Sequence, residues 1–412
     1  MIILKDVDTI PNINTLEGYL QAGGYRALRH GMEKLDPETI TEYVKDSGLR
    51  GRGGAGFPTG LKWSFVPKDT GKPIYLCCNA DESEPGTFKD REIILKKPHI
   101  LLEGIAIASY ALDCHHCFIY IRGEFAHEAE ILRKAIREAE EQHFLGKNIL
   151  GSDFHLNVVV YRGAGAYICG EETGLIESIE GKRGYPRIKP PFPASVGVNQ
   201  CPTVVNNVET LAFLPFIVLE GPDAYKRFGS ENNYGTKLYC LSGHLNTPGV
   251  YELEMGVYLD ELIEKYGGGI PGNRKLKAVI PGGSSVPVLK ADEVHVRMDF
   301  DSLQKAGTML GSAGVIVMDD TTSMVDAALN LAKFYAHESC GQCTPCREGT
   351  GWLVKLLKKI KDGRGDKNDP DLVVDICNNM EGNTICPLAD AAAAPIRSIV
   401  QKFRDEFDQR LG

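Results

Sequence analysis

Cys340, Cys343 and Cys346 recur at three-residue intervals, and Cys386, followed by Pro387, stands forty positions further on. Four thiolates are what one cubane iron-sulfur cluster takes, and a C-x2-C-x2-C run with a remote fourth cysteine is a ferredoxin-type way of supplying them. Zinc more often draws two separated C-x2-C pairs, or cysteine with histidine, and is the lesser alternative. Disulfides are a poor reading for 12 cysteines in 412 residues behind an N-terminus, Met1-Ile2-Ile3-Leu4-Lys5-Asp6, that lacks a secretory pattern. Cys77, Cys78, Cys169, Cys201, Cys240 and Cys377 fall in apolar or mixed segments, where a free thiol packs as a small hydrophobe. Cys114-His115-His116-Cys117 has the composition of a metal tetrad but opens a strand. Neighbours on a strand point to opposite faces and do not converge on one ion, so ordinary packing is expected there.

A second kind of chemistry is written in the glycines. Gly51-Arg52-Gly53-Gly54-Ala55-Gly56 satisfies G-x-G-x-x-G, but a helix rather than a buried strand precedes it, so the dinucleotide fingerprint does not apply as such. What remains is a loop whose exposed N–H groups admit a phosphate or a flat ring, with Arg52 adding charge; a plain structural turn is the alternative. After the extended segment 73–78 comes Asn79-Ala80-Asp81-Glu82-Ser83-Glu84. Hydrogen-bonding carboxylates beyond the carboxyl end of a strand are natural holders of ribose and ribityl hydroxyls, and they would repel a 2′-phosphate, favouring NADH over NADPH. A third strand ends in Gly163-Ala164-Gly165-Ala166-Tyr167 and runs through Gly170-Glu171-Glu172-Thr173 into a helix, an order that aims N–H donors at an anionic group.

The elements that must hold these groups follow from periodicity. Helices are expected at 35–48, 100–112, 124–141, 167–180 and 203–219, with strands at 73–78, 118–121 and 156–161. Apolar strands separated by helices mean a parallel sheet covered on both faces, a Rossmann-like α/β domain. Strands at 237–242, 250–253 and 277–280 with a helix at 259–266 form a small β-grasp (ubiquitin-like) unit. Ser323 with Asp326 opens a helix at 324–336 as a capping box does. Further amphipathic stretches around 352–360, 372–380 and 396–403 complete a four-helix bundle, with the first three cluster cysteines in its first loop and Cys386 in its third. The expected division is an N-terminal helical segment with the glycine loop at 1–58, the α/β domain at 59–228, the β-grasp domain and a linker at 229–322, and the bundle at 323–412. The net charge of −9 argues against nucleic acid, and no apolar run is long enough to span a bilayer.

The runs 50–63, 78–87, 163–173 and 338–347 together resemble the NADH-oxidising flavoprotein subunit of respiratory complex I, and the likeness covers nearly the whole chain. The diaphorase subunits of NAD-linked hydrogenases and formate dehydrogenases look similar. The resemblance implies non-covalent FMN, one 4Fe4S cluster on Cys340, Cys343, Cys346 and Cys386, and NADH as substrate. It places Gly51, Arg52, Gly53, Gly54, Lys62, Asn79, Asp81, Glu82, Ser83, Gly170, Glu171, Val205, Asn206, Asn207 and Thr210 against the flavin. Phe57, Phe65, Lys189 and Phe192 match positions that hold the adenine half of NADH, and Glu84 and Glu172 those near its nicotinamide end. Taken without the family, each of these phenylalanines reads as core packing. The implied activity is hydride transfer to FMN, then single-electron transfer to the cluster and on to quinone. The implied partners are a thioredoxin-like 2Fe2S subunit and a large iron-sulfur subunit of the peripheral arm, which would hold the chain on the cytoplasmic face of the inner membrane. A flavin and iron-sulfur scaffold without catalysis is the reading from a different class.

Overall fold

The computed structural model describes residues 1–412, Asn273 by its backbone alone. Four parallel strands form the first sheet: β1 (Tyr75–Ala80), β2 (His116–Ile121), β3 (Asn157–Arg162) and β4 (Thr203–Asn207), in the order β3-β2-β1-β4. The chain moves outward from β1 to β3 and then returns to the other side of β1. The boundary between β1 and β4 is therefore the topological switch point, and the crevice beyond their carboxyl ends is where such a sheet takes its ligand. Helix α1 (Pro98–Ala111) is apolar almost all round and lies in the core, as a buried helix should. A Cβ at Gly104 would meet the Leu211 carbonyl oxygen at 2.1 Å, so glycine is what lets α1 pack against the helix after β4. Buried Glu103 on α1 accepts from the Tyr25 and Leu28 N–H groups at 2.9 and 3.0 Å and ties the N-terminal helices to the sheet.

The continuous helix expected over 203–219 is not formed. Thr203, Val204 and Val205 are β-branched and pair with β1, and the Asn207 side chain then caps a new helix by accepting from the Glu209 N–H at 3.0 Å. Helix begins only there, as Val208–Ala212 and Leu214–Glu220. The helix expected over 167–180 also divides. Tyr167–Gly170 makes one 3-10 turn, and Glu171, extended, caps helix α2 (Glu172–Ile179) through its carboxylate.

The second sheet contains β5 (Thr236–Gly243), β6 (Gly249–Glu254), β7 (Leu276–Ile280), β8 (Leu289–Lys290) and β9 (Gly314–Asp319), in the order β8-β7-β9-β5-β6. Central β9, parallel to β5, is not among the strands the sequence indicates. The bundle is α3 (Met324–Glu338), α4 (Thr344–Lys361), α5 (Asp369–Met380) and α6 (Leu388–Lys402). Ser323 caps α3 by accepting from the Asp326 N–H at 3.2 Å. Cys346 lies in the first turn of α4 rather than in the loop, because Pro345 suits a helix start. The two cysteine-bearing loops meet: the Ile385 N–H points at the Cys343 sulfur from 3.4 Å.

Candidate functional site

A cavity of about 490 Å³ opens where the α/β domain, the second sheet and the bundle meet. Its walls bring together Gly53, Gly54, Asn79, Asp81, Glu82, Ser83, Glu84, Gly170, Glu171 and Asn207 with Cys386 of the bundle. Residues drawn from separate runs of the sequence thus face one space large enough for a cofactor.

The glycine loop is held from behind. Its Gly51 N–H donates to the Phe57 carbonyl at 2.8 Å, and the Arg52 N–H donates to Thr210 Oγ1 at 2.8 Å. The Arg52 guanidinium does not face the cavity, contrary to the charge expected of it there. It is buried and donates to the Tyr225 hydroxyl and the Tyr234 carbonyl, both at 2.9 Å. Arg52 is an anchor for the loop. A Cβ at Gly53 would come within 3.2 Å of Asn207 Cβ, and Gly54 sits at φ +136°, a backbone state that L side chains rarely adopt. Lys62, Val205 and Asn206 stand in the supporting layer. The Lys62 ammonium donates to the Val205 carbonyl at 3.2 Å, and Trp63 Nε1 donates to Asn206 Oδ1 at 2.9 Å.

The acidic run at the end of β1 divides its work. Glu82 accepts from the Asp90 and Arg91 N–H groups at 2.8 and 3.0 Å, and so caps the following helix. Asp81 leaves one buried carboxylate oxygen, Oδ2, with no partner. Burial pushes the Asp81 carboxyl up to about 7, against the lowering effect of Ser83. The folded chain therefore holds this proton where the unfolded chain has released it, and stability falls as pH rises from about 4 to 7. Urea unfolding of flavin-free chain across that window is expected to show the loss, up to about 1.4 kcal/mol per pH unit for one such group. Asp81→Asn should reduce the slope, leaving the share of Glu82, which burial also raises. A stability that climbs with pH through the window contradicts the assignment.

Glu84 accepts from the Tyr167 hydroxyl and the Ser285 N–H, both at 2.7 Å; burial raises its carboxyl and these donors pull it back. Lys189 bridges Glu171 at 2.9 Å and Glu172 at 2.7 Å, and Lys62 approaches Glu172 at 3.6 Å. Burial opposes ionisation of Glu172, but Lys62 and Lys189 outweigh it and hold the carboxyl below its ordinary range. Phe57, Phe65 and Phe192 are 42%, 54% and 58% exposed, and the first two rings lie 6.3 Å apart. Core packing, the reading for each ring taken alone, is excluded. Exposed rings leave their faces free to stack on a flat base.

Cys346 is buried and Cys340, Cys343 and Cys386 are partly so, whereas all the other cysteines are buried in the cores. Cys114, just before β2, and Cys117, on it, are among these and are buried, as ordinary packing predicts. Among the described residues no three histidine, cysteine or carboxylate side chains converge tightly enough for a single metal ion. The loops that carry the four thiols meet, and four thiolates are the donor set that one cubane takes. Burial pushes the Cys386 thiol up to about 12, so iron has to displace its proton on binding.

Two features of the site escape the sequence patterns. Lys89, lining the cavity, reaches Asp90 at 2.7 Å and Glu209 at 2.9 Å, and Glu209 also pairs with buried Lys237 at 2.6 Å. Scattered single charges carry no periodic signal, so this network is not legible there. Ser285 comes from the Gly282-Gly283-Ser284-Ser285 loop, in which no residue type or spacing singles out a ligand.

A family model described as "Nuo51 FMN-binding domain" matches residues 44–215, "SLBB domain" matches 237–317, and "NADH-ubiquinone oxidoreductase-F iron-sulfur binding region" matches 326–410. Fold and site thus define an FMN-binding oxidoreductase chain with a 4Fe4S region. An F subunit of NADH-quinone oxidoreductase from Rhizobium meliloti (strain 1021), the one numbered 2, is 54% identical over 406 residues, covering 98% of this chain and 96% of its own. The F subunit of the NADH-quinone oxidoreductase of Rickettsia felis is 54% identical over 375 residues, covering 91% of this chain and 89% of its own. An NAD+-reducing [NiFe]-hydrogenase in the air-oxidized state superposes with a TM-score of 0.85 at 35% identity, covering 100% of this chain and 67% of that one. The chain belongs to the family of NADH-quinone oxidoreductase F subunits.

Proposed function

We propose that the chain oxidises NADH by hydride transfer to FMN in the cavity and passes the electrons singly through a 4Fe4S cluster on Cys340, Cys343, Cys346 and Cys386, toward partner subunits and quinone. The observation that carries this reading is that Cys386 and the Gly53-Gly54 loop wall the same cavity. Bound FMN supplies the conversion from paired to single electrons. The protein does the rest by position.

Gly51, Gly53 and Gly54 present backbone to the flavin, and Arg52, Lys62, Val205, Asn206 and Thr210 fix that loop from behind. Asn79, Asp81, Ser83, Gly170, Glu171 and Asn207 offer hydrogen bonds to the ribityl chain and ring edge. The unpartnered Asp81 oxygen is the group most in need of such a partner, since a buried acceptor left unpaired costs about 1–3 kcal/mol. Phe57, Phe65, Phe192 and Lys189 receive the adenine half, Lys189 while paired with Glu171 and Glu172, and Glu84 and Glu172 orient the nicotinamide half. No side chain has to move a proton in the hydride step, so alignment and exclusion of water are what the fold contributes. Glu84→Gln is expected to raise the KM for NADH about tenfold while kcat with an artificial dye stays close to wild type, as loss of a charged hydrogen-bond partner predicts. Unchanged kinetics would remove Glu84 from the site.

As domains, 1–58, 59–228, 229–322 and 323–412 remain the division that suits these roles. No helix among the described residues is long and apolar enough to cross a membrane. Attachment to the cytoplasmic face of the inner membrane then falls to other subunits, a thioredoxin-like 2Fe2S protein and a large iron-sulfur protein of the peripheral arm. The likeness to the NAD+-reducing hydrogenase supports a second reading, a diaphorase subunit of a soluble complex. Near-complete coverage of relatives named for a quinone oxidoreductase favours the first. Co-purifying proteins decide between them.

A further inference from the structure

Glu84 stands where three parts of the chain touch, and the residues around it are shaped to it. On one side the Tyr167 hydroxyl donates to Oε2 at 2.7 Å. On the other, the Ser285 N–H donates to Oε1 at 2.7 Å and Ser284 Oγ lies 3.2 Å from the same oxygen. Ser284 Oγ is also 3.0 Å from the hydroxyl of Tyr335, a fully buried ring on α3. The loop that carries the serines is fastened beside its target: the Ser284 N–H donates to the Pro85 carbonyl at 3.1 Å, and the Gly283 N–H to the Gly314 carbonyl at 2.7 Å. Gly283 sits at φ +94°, and a Cβ there would meet Glu84 Cγ at 2.7 Å and Oε1 at 2.9 Å. The last turn of α3 grips the Tyr167 side as well, since Glu338 accepts from the Tyr167 N–H at 2.9 Å.

A carboxylate held by three donors, with a glycine making room for it, is fixed in direction before any substrate arrives. We propose that the Gly283-Ser284-Ser285 loop and Tyr335 are a positioning device for the Glu84 carboxylate, so that the small domain and the bundle tune NADH affinity through a carboxylate that neither of them supplies. The inference rests on the reading of Glu84 as a group that faces NADH. It assigns Ser284 and Tyr335 no contact with substrate. Their effect passes through Glu84, and binding improves because the group need not be ordered at the moment of association.

The test uses the holoprotein with FMN and cluster loaded, with dye as acceptor and flavin content checked in every variant. Ser284→Ala and Tyr335→Phe each remove one hydroxyl and keep the packing. Each is expected to raise the KM for NADH about threefold to tenfold, the range for one hydrogen bond, while kcat is kept. Ser284→Thr, which restores the hydroxyl, should recover most of the loss, and Gly283→Ala should exceed either single deletion. In a Glu84→Ala background the same two deletions should add nothing, because there is no carboxylate left to direct. If Glu84→Ala raises KM but the hydroxyl deletions do not, or if they act equally in both backgrounds, the positioning device is wrong while the reading of Glu84 stands. If Glu84→Ala itself leaves KM unchanged, the reading fails and the inference with it.

Discussion

Cys343→Ser is expected to leave NADH oxidation by an artificial dye largely intact while electron transfer to the natural acceptors stops. Cys343 stands at the N-cap position of α4, and its sulfur meets the loop that carries Cys386, so it sits at the join between the two halves of the thiol set. Serine is smaller and harder, and a hydroxyl is a poor substitute for thiolate toward iron. Even outer partners of a metal ligand are worth about 10–100-fold in metal affinity, so loss of the ligand itself should cost at least the upper end of that range. The flavin cavity draws nothing from Cys343, which does not line it, so the hydride step survives. Iron content, dye activity and transfer to a reconstituted peripheral arm are the three readings. Loss of all activities together, with flavin retained, would contradict the separation of an entry half from an exit half.

The opposite pattern is expected of Gly54→Val. At φ +136° the backbone is one that a β-branched residue adopts only under strain of about 1–3 kcal/mol, and the ideal Cβ meets no protein atom within 4 Å, so the loop rather than the side chain has to move. Because Gly54 lines the cavity, movement there is movement of the flavin's seat. That strain corresponds to roughly 5–150-fold in FMN affinity, and most flavin should be lost on gel filtration. Dye and natural-acceptor activities should then fall in parallel while the iron content stays normal. A variant that keeps its flavin but loses activity would show that the loop serves something other than flavin binding.

The two halves are not equally legible in the sequence. The cysteine run declares itself, because ligand identity and spacing are local and the chemistry tolerates few alternatives. Asn79 to Glu84 are legible as a strand-end cluster, since an apolar run followed by carboxylates marks the carboxyl end of a buried strand. Thr203 to Asn207 are not. A short buried strand runs straight into a helix here with no glycine or proline between them, and only the β-branched triplet Thr203-Val204-Val205 argues for strand. The same ambiguity hides the switch point, because β4 is the strand that defines it. Arg52 misleads for a different reason. A cation in a glycine loop suits an anion by composition alone, and only the fold reveals Tyr225 and Tyr234 waiting behind it. The exposed phenylalanines reverse the usual expectation in the same way, since burial is a property of the assembled surface. Glu84 and its cradle join the bundle, the second sheet and β1 across more than two hundred residues, and no local pattern reports such a meeting.

The measurement that bears most directly on the account is anaerobic addition of NADH to the isolated holoprotein, followed by flavin absorbance and by the low-temperature EPR of the reduced cluster in samples frozen over time. If Cys386 and the flavin's seat share one wall, flavin bleaching and the cluster signal should develop together within a turnover, with no partner protein present. A flavin that bleaches fully while the cluster stays oxidised, or a cluster reduced only after another protein is added, would contradict it.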